Sequence, residues 1–188
     1  EHPGADLCAE SGHCQGFATA EECRALWGGE YAFYRERVAR AVADTAGQLI
    51  TYEGEPIEVF YHAISGGRTE DAQTVFAQAR PYLVGVSSPG EEGARGFAQE
   101  LTLTQAECVR QLNAAFPDAN LAEEDFLSRF EIKSHTESGR VRDLRVGDTI
   151  QTAAAVRRAL GLRSTWFTVT TDATRVTFHQ QGYGHGVG

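Results

Sequence analysis

Two imidazoles and two thiols fall between residues 2 and 14 of this 188-residue chain: His2, Cys8, His13 and Cys14. Thiolate sulfur and imidazole nitrogen together are the usual donor set of a tetrahedral zinc ion, whose borderline-soft character suits both. The spacing is not that of a zinc finger. Pro3, Gly4 and Gly12 supply turns that would let one short loop present all four donors. The same residues allow a second arrangement, in which Cys8 and Cys14 pair as a disulfide and both histidines are incidental. Zinc accounts for four residues and the disulfide for two, and both arrangements stay open on the residues alone.

A second cluster is Tyr61-His62-Ala63-Ile64-Ser65-Gly66-Gly67-Arg68-Thr69-Glu70. Gly66 and Gly67 let a backbone bend present its N–H groups without side-chain obstruction. Around that bend stand two hydroxyls (Ser65, Thr69), a carboxylate (Glu70) and an imidazole (His62), the kinds of group that hold hydroxyl-rich ligands such as sugars. An ordinary glycine turn is the plainer reading of the pair. The third cluster is the final run, Gly182-Tyr183-Gly184-His185-Gly186-Val187-Gly188. Such spacing cannot make a stable helix and weakens a strand. It predicts a segment threading close to another backbone or a ligand, with a frayed terminus as the alternative. None of these clusters is a nucleophile elbow, a phosphate loop or a His-Glu-x-x-His zinc motif, and the glycine run lacks the strand-turn-helix context of a dinucleotide site.

The elements that would position these groups alternate between helices and hairpins. Thr19-Ala20-Glu21-Glu22 forms a capping box that starts a helix ending at Gly28-Gly29, and a second helix spans about Tyr31–Ala46 with Phe33, Val38 and Val42 near one face. Gln48–Tyr52 and Ile57–Ala63 predict a hairpin around Glu53-Gly54-Glu55-Pro56, Ser65–Arg80 a polar connection, Pro81–Val86 strand character, and Ser87–Gln99 a loop. A capping box at Thr104–Glu107 starts a helix to about Ala115, and a turn or two of helix is expected at Glu123–Leu127. Phe130–Thr136 pairs with Val141–Val146, Thr152–Leu160 is a helix ended by Gly161, and Trp166–Thr171 with Thr174–His179 makes a final hairpin. Without a repeated βαβ unit this pattern predicts an α+β fold of mostly antiparallel sheets and hairpins with packed helices.

A net charge of −9 excludes the basic face of a nucleic-acid binder, and no apolar run reaches the length of a membrane span. Cys23 and Cys108 fall on helices and are expected to be small buried residues; Trp27, Trp166, Phe76 and Tyr82 are expected in the core. Glu91, Glu92, Glu123 and Glu124 are expected on solvated faces. The chain begins with Glu1 and holds no Met, which suggests a processed or truncated product.

In order along the chain, several blocks resemble the stage II sporulation protein D (SpoIID)/LytB family of peptidoglycan lytic transglycosylases. They are His2, Cys8, His13, Cys14 and Gln15; Ser65–Glu70 followed by Pro81-Tyr82-Leu83 and Val86; Gly161-Leu162-Arg163-Ser164-Thr165 with Phe167; and Gly182–Gly188. The resemblance implies one SpoIID-like domain over residues 1–188, with a zinc ion on His2, Cys8, His13 and Cys14 in a structural role. It also implies cleavage of the MurNAc-β-1,4-GlcNAc bond, with the muramic 6-hydroxyl closing a 1,6-anhydro ring through an oxocarbenium-like transition state. Tyr61, His62, Ser65, Gly66, Gly67, Thr69, Glu70, Gly184 and His185 are the glycan contacts it suggests. The family's catalytic glutamate lies in a Glu-Met-Pro segment upstream of the zinc loop, so the acid is assigned to no residue here, and this polypeptide alone is expected to be inactive. The family's C-terminal end is likewise expected beyond Gly188. The implied partners are peptidoglycan glycan strands, already stripped of stem peptides for the sporulation members, together with other cell-wall hydrolases or septal membrane proteins. The implied location is extracytoplasmic, in the cell envelope or between forespore and mother cell. The alternative is a non-catalytic wall-binding module of the amidase-enhancer kind.

Overall fold

The computed structural model describes Gly4, Cys8, Ala9 and residues 16–188. The chain divides into two units, residues 1–57 and 58–188. In the first, helix α1 (Ala20–Trp27) starts at the expected capping box: Thr19 Oγ1 accepts from the Glu22 N–H at 3.2 Å, and the Glu22 carboxylate accepts from the Thr19 N–H at 2.7 Å. A 3-10 turn (Gly28–Glu30) leads into helix α2 (Tyr31–Asp44). Neither helix buries a residue, and Phe33, Val38 and Val42 on α2 are exposed. Cys23 and Trp27 are half-buried, short of the core positions expected for them. Strands β1 (Thr51–Tyr52) and β2 (Glu55–Pro56) close a hairpin through Glu53 and Gly54, both at positive φ. The hairpin is shorter than the sequence suggests. Pro56 has no N–H to extend the ladder, and the pairing reaches only one bond further, from Ile57 N–H to the Ile50 carbonyl at 3.1 Å.

The second unit carries two antiparallel sheets of three strands. One is ordered β3 (Ala98–Thr104), β8 (Arg175–Gln181), β7 (Trp166–Thr171); the other runs β4 (Phe130–His135), β5 (Val141–Val146), β6 (Thr149–Thr152). The fold class is therefore the expected mixed α+β with antiparallel pairing. Helix α4 (Gln105–Ala115) opens on the second capping box, and helix α6 (Ala153–Leu160) on the Thr152 hydroxyl, which accepts from the Ala155 N–H at 3.2 Å. These helices, with the short helix α5 (Phe126–Arg129), pack on the sheets around Cys108, Leu112, Phe126, Leu144, Val156 and Phe178. Each such apolar side chain removed from water contributes about 2 kcal/mol, so this cluster holds the scaffold on which the loops are hung.

Elements of this unit also depart from expectation, among them strand β6, which the sequence pattern does not predict. Strand β3 takes its last five residues from beyond the predicted loop, and its alternating exposure follows register with β8: Leu101 opposite Phe178, Leu103 opposite Val176. Helix α3 (Ala72–Phe76) interrupts the polar connection, started by the Asp71 carboxylate accepting from the Gln73 N–H at 2.7 Å. Pro81–Val86 is a turn followed by extended chain rather than a strand, pinned to the neighbouring loop by the Thr69 N–H bond to the Val86 carbonyl at 2.9 Å. A small second apolar cluster of Ala72, Leu83 and Val187, with Phe60 and Tyr82 against it, anchors the C-terminal segment. Phe76 itself is exposed at its edge and Tyr82 half-buried. Among the described residues, no helix is long and apolar enough to cross a membrane.

Candidate functional site

The glycine-rich tail lies against the Ser65 loop. Ala63 and Ile64 N–H groups donate to the Tyr183 carbonyl at 3.0 and 3.1 Å, the Tyr183 N–H returns to Ile64 at 2.8 Å, and Glu70 N–H donates to Gly186 at 2.8 Å. On its other side the Gly184 N–H donates to the Arg163 carbonyl at 3.0 Å. Such an approach of backbone to backbone explains the glycines. A Cβ on Gly182 would stand 2.9 Å from the Ile64 carbonyl oxygen, and one on Gly186 would stand 2.3 Å from an Arg140 guanidinium nitrogen. The threading expected of the tail is what is found.

Arg140 is the hub. It is 2% exposed, and its guanidinium donates to the Ser138 hydroxyl (2.9 Å), the Ser65 carbonyl (2.5 Å) and the Arg68 carbonyl (3.0 Å), while packing over the Trp166 ring at 5.2 Å. Burial pushes its pKa down, opposed by the charges of Glu70 and Glu91. Its Nε finds no hydrogen-bond partner among the described residues, and neither does that of Arg68. Glu70 is 3% exposed and accepts from Thr136 (2.6 Å), Ser138 (2.7 Å) and the Asp71 N–H (2.9 Å). Its oxygens are engaged within the protein.

Ser65 is fully buried, and its hydroxyl donates to Glu91 at 2.5 Å. The same carboxylate accepts from the N–H groups of Ser65 (3.2 Å), Gly66 (3.1 Å) and Gly67 (3.4 Å). Burial alone would raise the Glu91 pKa; these four bonds outweigh it and hold the group below the ordinary carboxylate range. Glu91 thus departs from the solvated face expected of it. A run of acidic residues in a polar loop gives no sequence sign that one of them folds back onto a glycine bend 25 residues upstream.

The two histidines stand next to one another. His185 Nδ1 accepts from the Val187 N–H at 3.0 Å, His62 Nδ1 is 3.0 Å from the Val187 carbonyl, and the rings lie 6.3 Å apart. Burial, then the nearby His62, Arg157 and Arg140, lower the His185 pKa, so it is neutral at pH 7. Phe60 and Phe76 stack at 4.3 Å beside it.

A groove of about 580 Å³ runs past these groups, lined by Glu70, Phe76, Thr136, Arg142, Arg157 and His185 among others. It is of the size that takes a saccharide unit or two. Of the residues singled out from sequence, Glu70 and His185 face it, Tyr61 is 71% exposed, and Ser65, Gly66, Gly67 and Thr69 form the packed loop behind it. Gly184 lies against His62, where an added Cβ would stand 3.0 Å from that side chain. Arg140, Thr136 and Ser138 were not singled out by spacing, since Thr136 reads as the end of one strand, Ser138 as hairpin turn, and Arg140 falls between that turn and the strand starting at Val141. The zinc donors His2, His13 and Cys14 lie outside the described residues. Cys8 is half-buried, and among the described residues no cluster of three or more His, Cys, Asp or Glu is placed to hold a metal.

Comparison with known proteins adds a lineage. No family model matches the sequence. The chain is 29% identical over 174 residues to stage II sporulation protein D of Bacillus amyloliquefaciens, across 93% of this chain and 48% of that protein. It is 27% identical over 188 residues to stage II sporulation protein D of Bacillus subtilis (strain 168), across the whole of this chain and 53% of that protein. The chain is homologous to stage II sporulation protein D. The SpoIID homologue spans about half the length of the two sporulation proteins it matches. It also shares 29% identity over 154 residues, 80% of this chain and 40% of the relative, with an uncharacterised protein of Brachyspira hyodysenteriae.

Proposed function

We propose that this chain is the glycan-binding part of a cell-envelope lytic transglycosylase that cleaves the MurNAc-β-1,4-GlcNAc bond of peptidoglycan and leaves 1,6-anhydro-MurNAc ends. The observation that carries the reading is the meeting of the Ser65–Glu70 loop and the Gly182–Gly188 tail around buried Arg140, beside a groove lined by hydroxyls, guanidinium groups and an aromatic ring. Homology to a sporulation protein supports a cell-wall setting.

In this reading the groove binds the sugar through Thr136 and its neighbours, with Phe76 offering an apolar face to a pyranose ring. The neutral His185, which accepts from the Val187 N–H and so carries its proton on Nε2, fixes the bend of the tail at Gly186. Glu70 is a positioning group: three hydrogen bonds and adjacent Arg140 fix it, and the reaction's general acid is not assigned to it. The donor set of His2, Cys8, His13 and Cys14 fits a zinc ion, which with four protein ligands would supply structural order to the amino-terminal loop.

The test is digestion of peptide-free glycan by the full gene product, with products separated and weighed. Ends lighter by one water, as the 1,6-anhydro ring requires, support the reading. Reducing ends only would make the enzyme a hydrolase, and intact glycan with retained binding would make the chain a wall-binding module.

A further inference from the structure

The backbone of Val187 is clamped between two imidazoles. Its N–H donates to His185 Nδ1 at 3.0 Å, and its carbonyl lies 3.0 Å from His62 Nδ1. The two rings play opposite parts. A carbonyl only accepts, so His62 carries a proton on Nδ1 and keeps this bond whether neutral or charged. An N–H only donates, so His185 must keep a lone pair on Nδ1, and an imidazolium has none. One proton on His185 therefore replaces a hydrogen bond by two N–H groups facing each other. What that bond secures reaches beyond the ring: Val187 is fully buried beside Ala72 and Leu83, and the Gly186 carbonyl accepts from the Glu70 N–H at 2.8 Å. The ring's surroundings are set against a positive charge. His62 faces it from the chain before the Ser65 loop, Arg157 from α6 and Arg140 from the turn before β5, and all three act with burial against the charged form. The Tyr61 carbonyl favours the charged ring, but is outweighed. Phe76 lies edge-on at 5.2 Å, and Arg142 and Arg158 line the same groove. The carboxylates that line it are engaged elsewhere, Glu70 by Thr136, Ser138 and the Asp71 N–H, and Asp143 by the Ser134 hydroxyl at 2.7 Å.

We propose that His185 is a proton-operated latch: neutral, it docks the Gly182–Gly188 segment against the Ser65 loop, and protonation in a mildly acidic medium releases the segment and the groove wall it forms. The latch rests on the hydrogen bonds just described, and only its effect on ligand rests on the glycan-binding reading. The direction follows from the same contacts. The docked ring has a pKa below the ordinary 6.5 that it recovers once undocked. Docking is therefore at full strength above that value and weakens as pH falls through the docked pKa, by about tenfold for each unit between the two.

The experiment is amide exchange of the whole chain without ligand, read by NMR at pH 7.5 and 5.0, with rates referred to a free peptide of the tail sequence at the same pH. Protection at Tyr183–Gly188 and at Glu70 is expected to fall about tenfold or more at pH 5.0, while α4 and strands β4 to β6 change less than about twofold. His185→Asn separates the latch from general acid loosening. Its side-chain oxygen can accept from the N–H two residues on, as in an Asx-turn, and does not titrate, so this variant should stay docked at both pH values. His185→Ala, with no acceptor, should be undocked at both. Undiminished protection of the parent at pH 5.0 overturns the latch, and so does an equal acid loss in His185→Asn, which would place the sensor on another group. If His185→Asn fails to dock even at pH 7.5, the parent decides: the His185 ring titration and the loss of protection must share one midpoint, and separate midpoints overturn the proposal. Calorimetric titration with tri-N-acetylchitotriose at both pH values isolates the ligand. Loss of its binding in step with the segment supports the gated groove, and unchanged binding after release overturns it. No binding at pH 7.5 with the segment docked would instead sink the glycan reading and leave the latch standing.

Discussion

Replacing Arg140 by Met removes the one group that ties the Ser65 loop, the Arg68 carbonyl and the Ser138 hydroxyl together. Methionine fills much of the volume, so the loss is chiefly polar. Two backbone carbonyls and a hydroxyl lose a charged donor in a site closed to water, and each buried acceptor left without a partner costs about 1–3 kcal/mol. The aliphatic replacement recovers part of this by sparing the burial of a charge. The net expectation is about 3 kcal/mol of destabilisation, which at an m of about 2 kcal/mol/M lowers the urea midpoint by about 1.5 M. Arg140→Lys should fall between, because one ammonium cannot span acceptors that a planar fork reaches together. Arg142→Met, two residues along and exposed, should stay within about 0.5 kcal/mol of the parent. Urea unfolding in a Trp27→Phe background, where Trp166 is the sole tryptophan and the ring that Arg140 covers, reports on this unit directly by fluorescence. If Arg140→Met unfolds no earlier than Arg142→Met, Arg140 is not the hub described.

Three further outcomes follow from the same geometry. Gly186→Ala places a Cβ 2.3 Å from the guanidinium at a φ of +81°, and strain plus overpacking should cost about 2–4 kcal/mol, measured as a lowered thermal midpoint. Because the folded pKa of Glu91 lies below its ordinary 4.5, the stability it adds is present above that value and is lost as pH falls through the folded pKa. Glu91→Gln should therefore cost about 1 kcal/mol at pH 7, and the gap in urea midpoints between parent and variant should close as pH approaches 3. Burial pushes the Cys108 thiol up to about 12, so a thiol reagent at pH 8 should leave it unmodified until urea opens the unit, as peptide mapping by mass spectrometry would show.

What the sequence revealed was local. The two capping boxes name both ends of their own interaction within four residues, and the hairpin of β7 and β8 is announced by Asp172-Ala173 between alternating strands. Strand β3 escaped because its pairing partner β8 lies more than 70 residues away and the acidic loop before it carries no strand pattern. The same applies to the site. Glycines at 182, 184 and 186 marked where the tail must pass close to a neighbour, and those at 66 and 67 a bend that bares its N–H groups; that much was readable from spacing. The groups they approach were not: Arg140 meets the Ser65 carbonyl across 75 residues, and Glu91 meets Gly66 across 25. A charged residue's burial is decided by tertiary packing, and nothing in the neighbouring letters distinguishes Arg140 from the exposed Arg142.

Hydrogen exchange of the chain with and without peptide-free glycan tests the central claim most directly. Slowed exchange at residues 61–70, 74–76 and 182–188, with little change across β3, β7 and β8, is the predicted result. Protection confined to the open face of that sheet, with the Ser65 loop and the glycine tail exchanging as before, would contradict it.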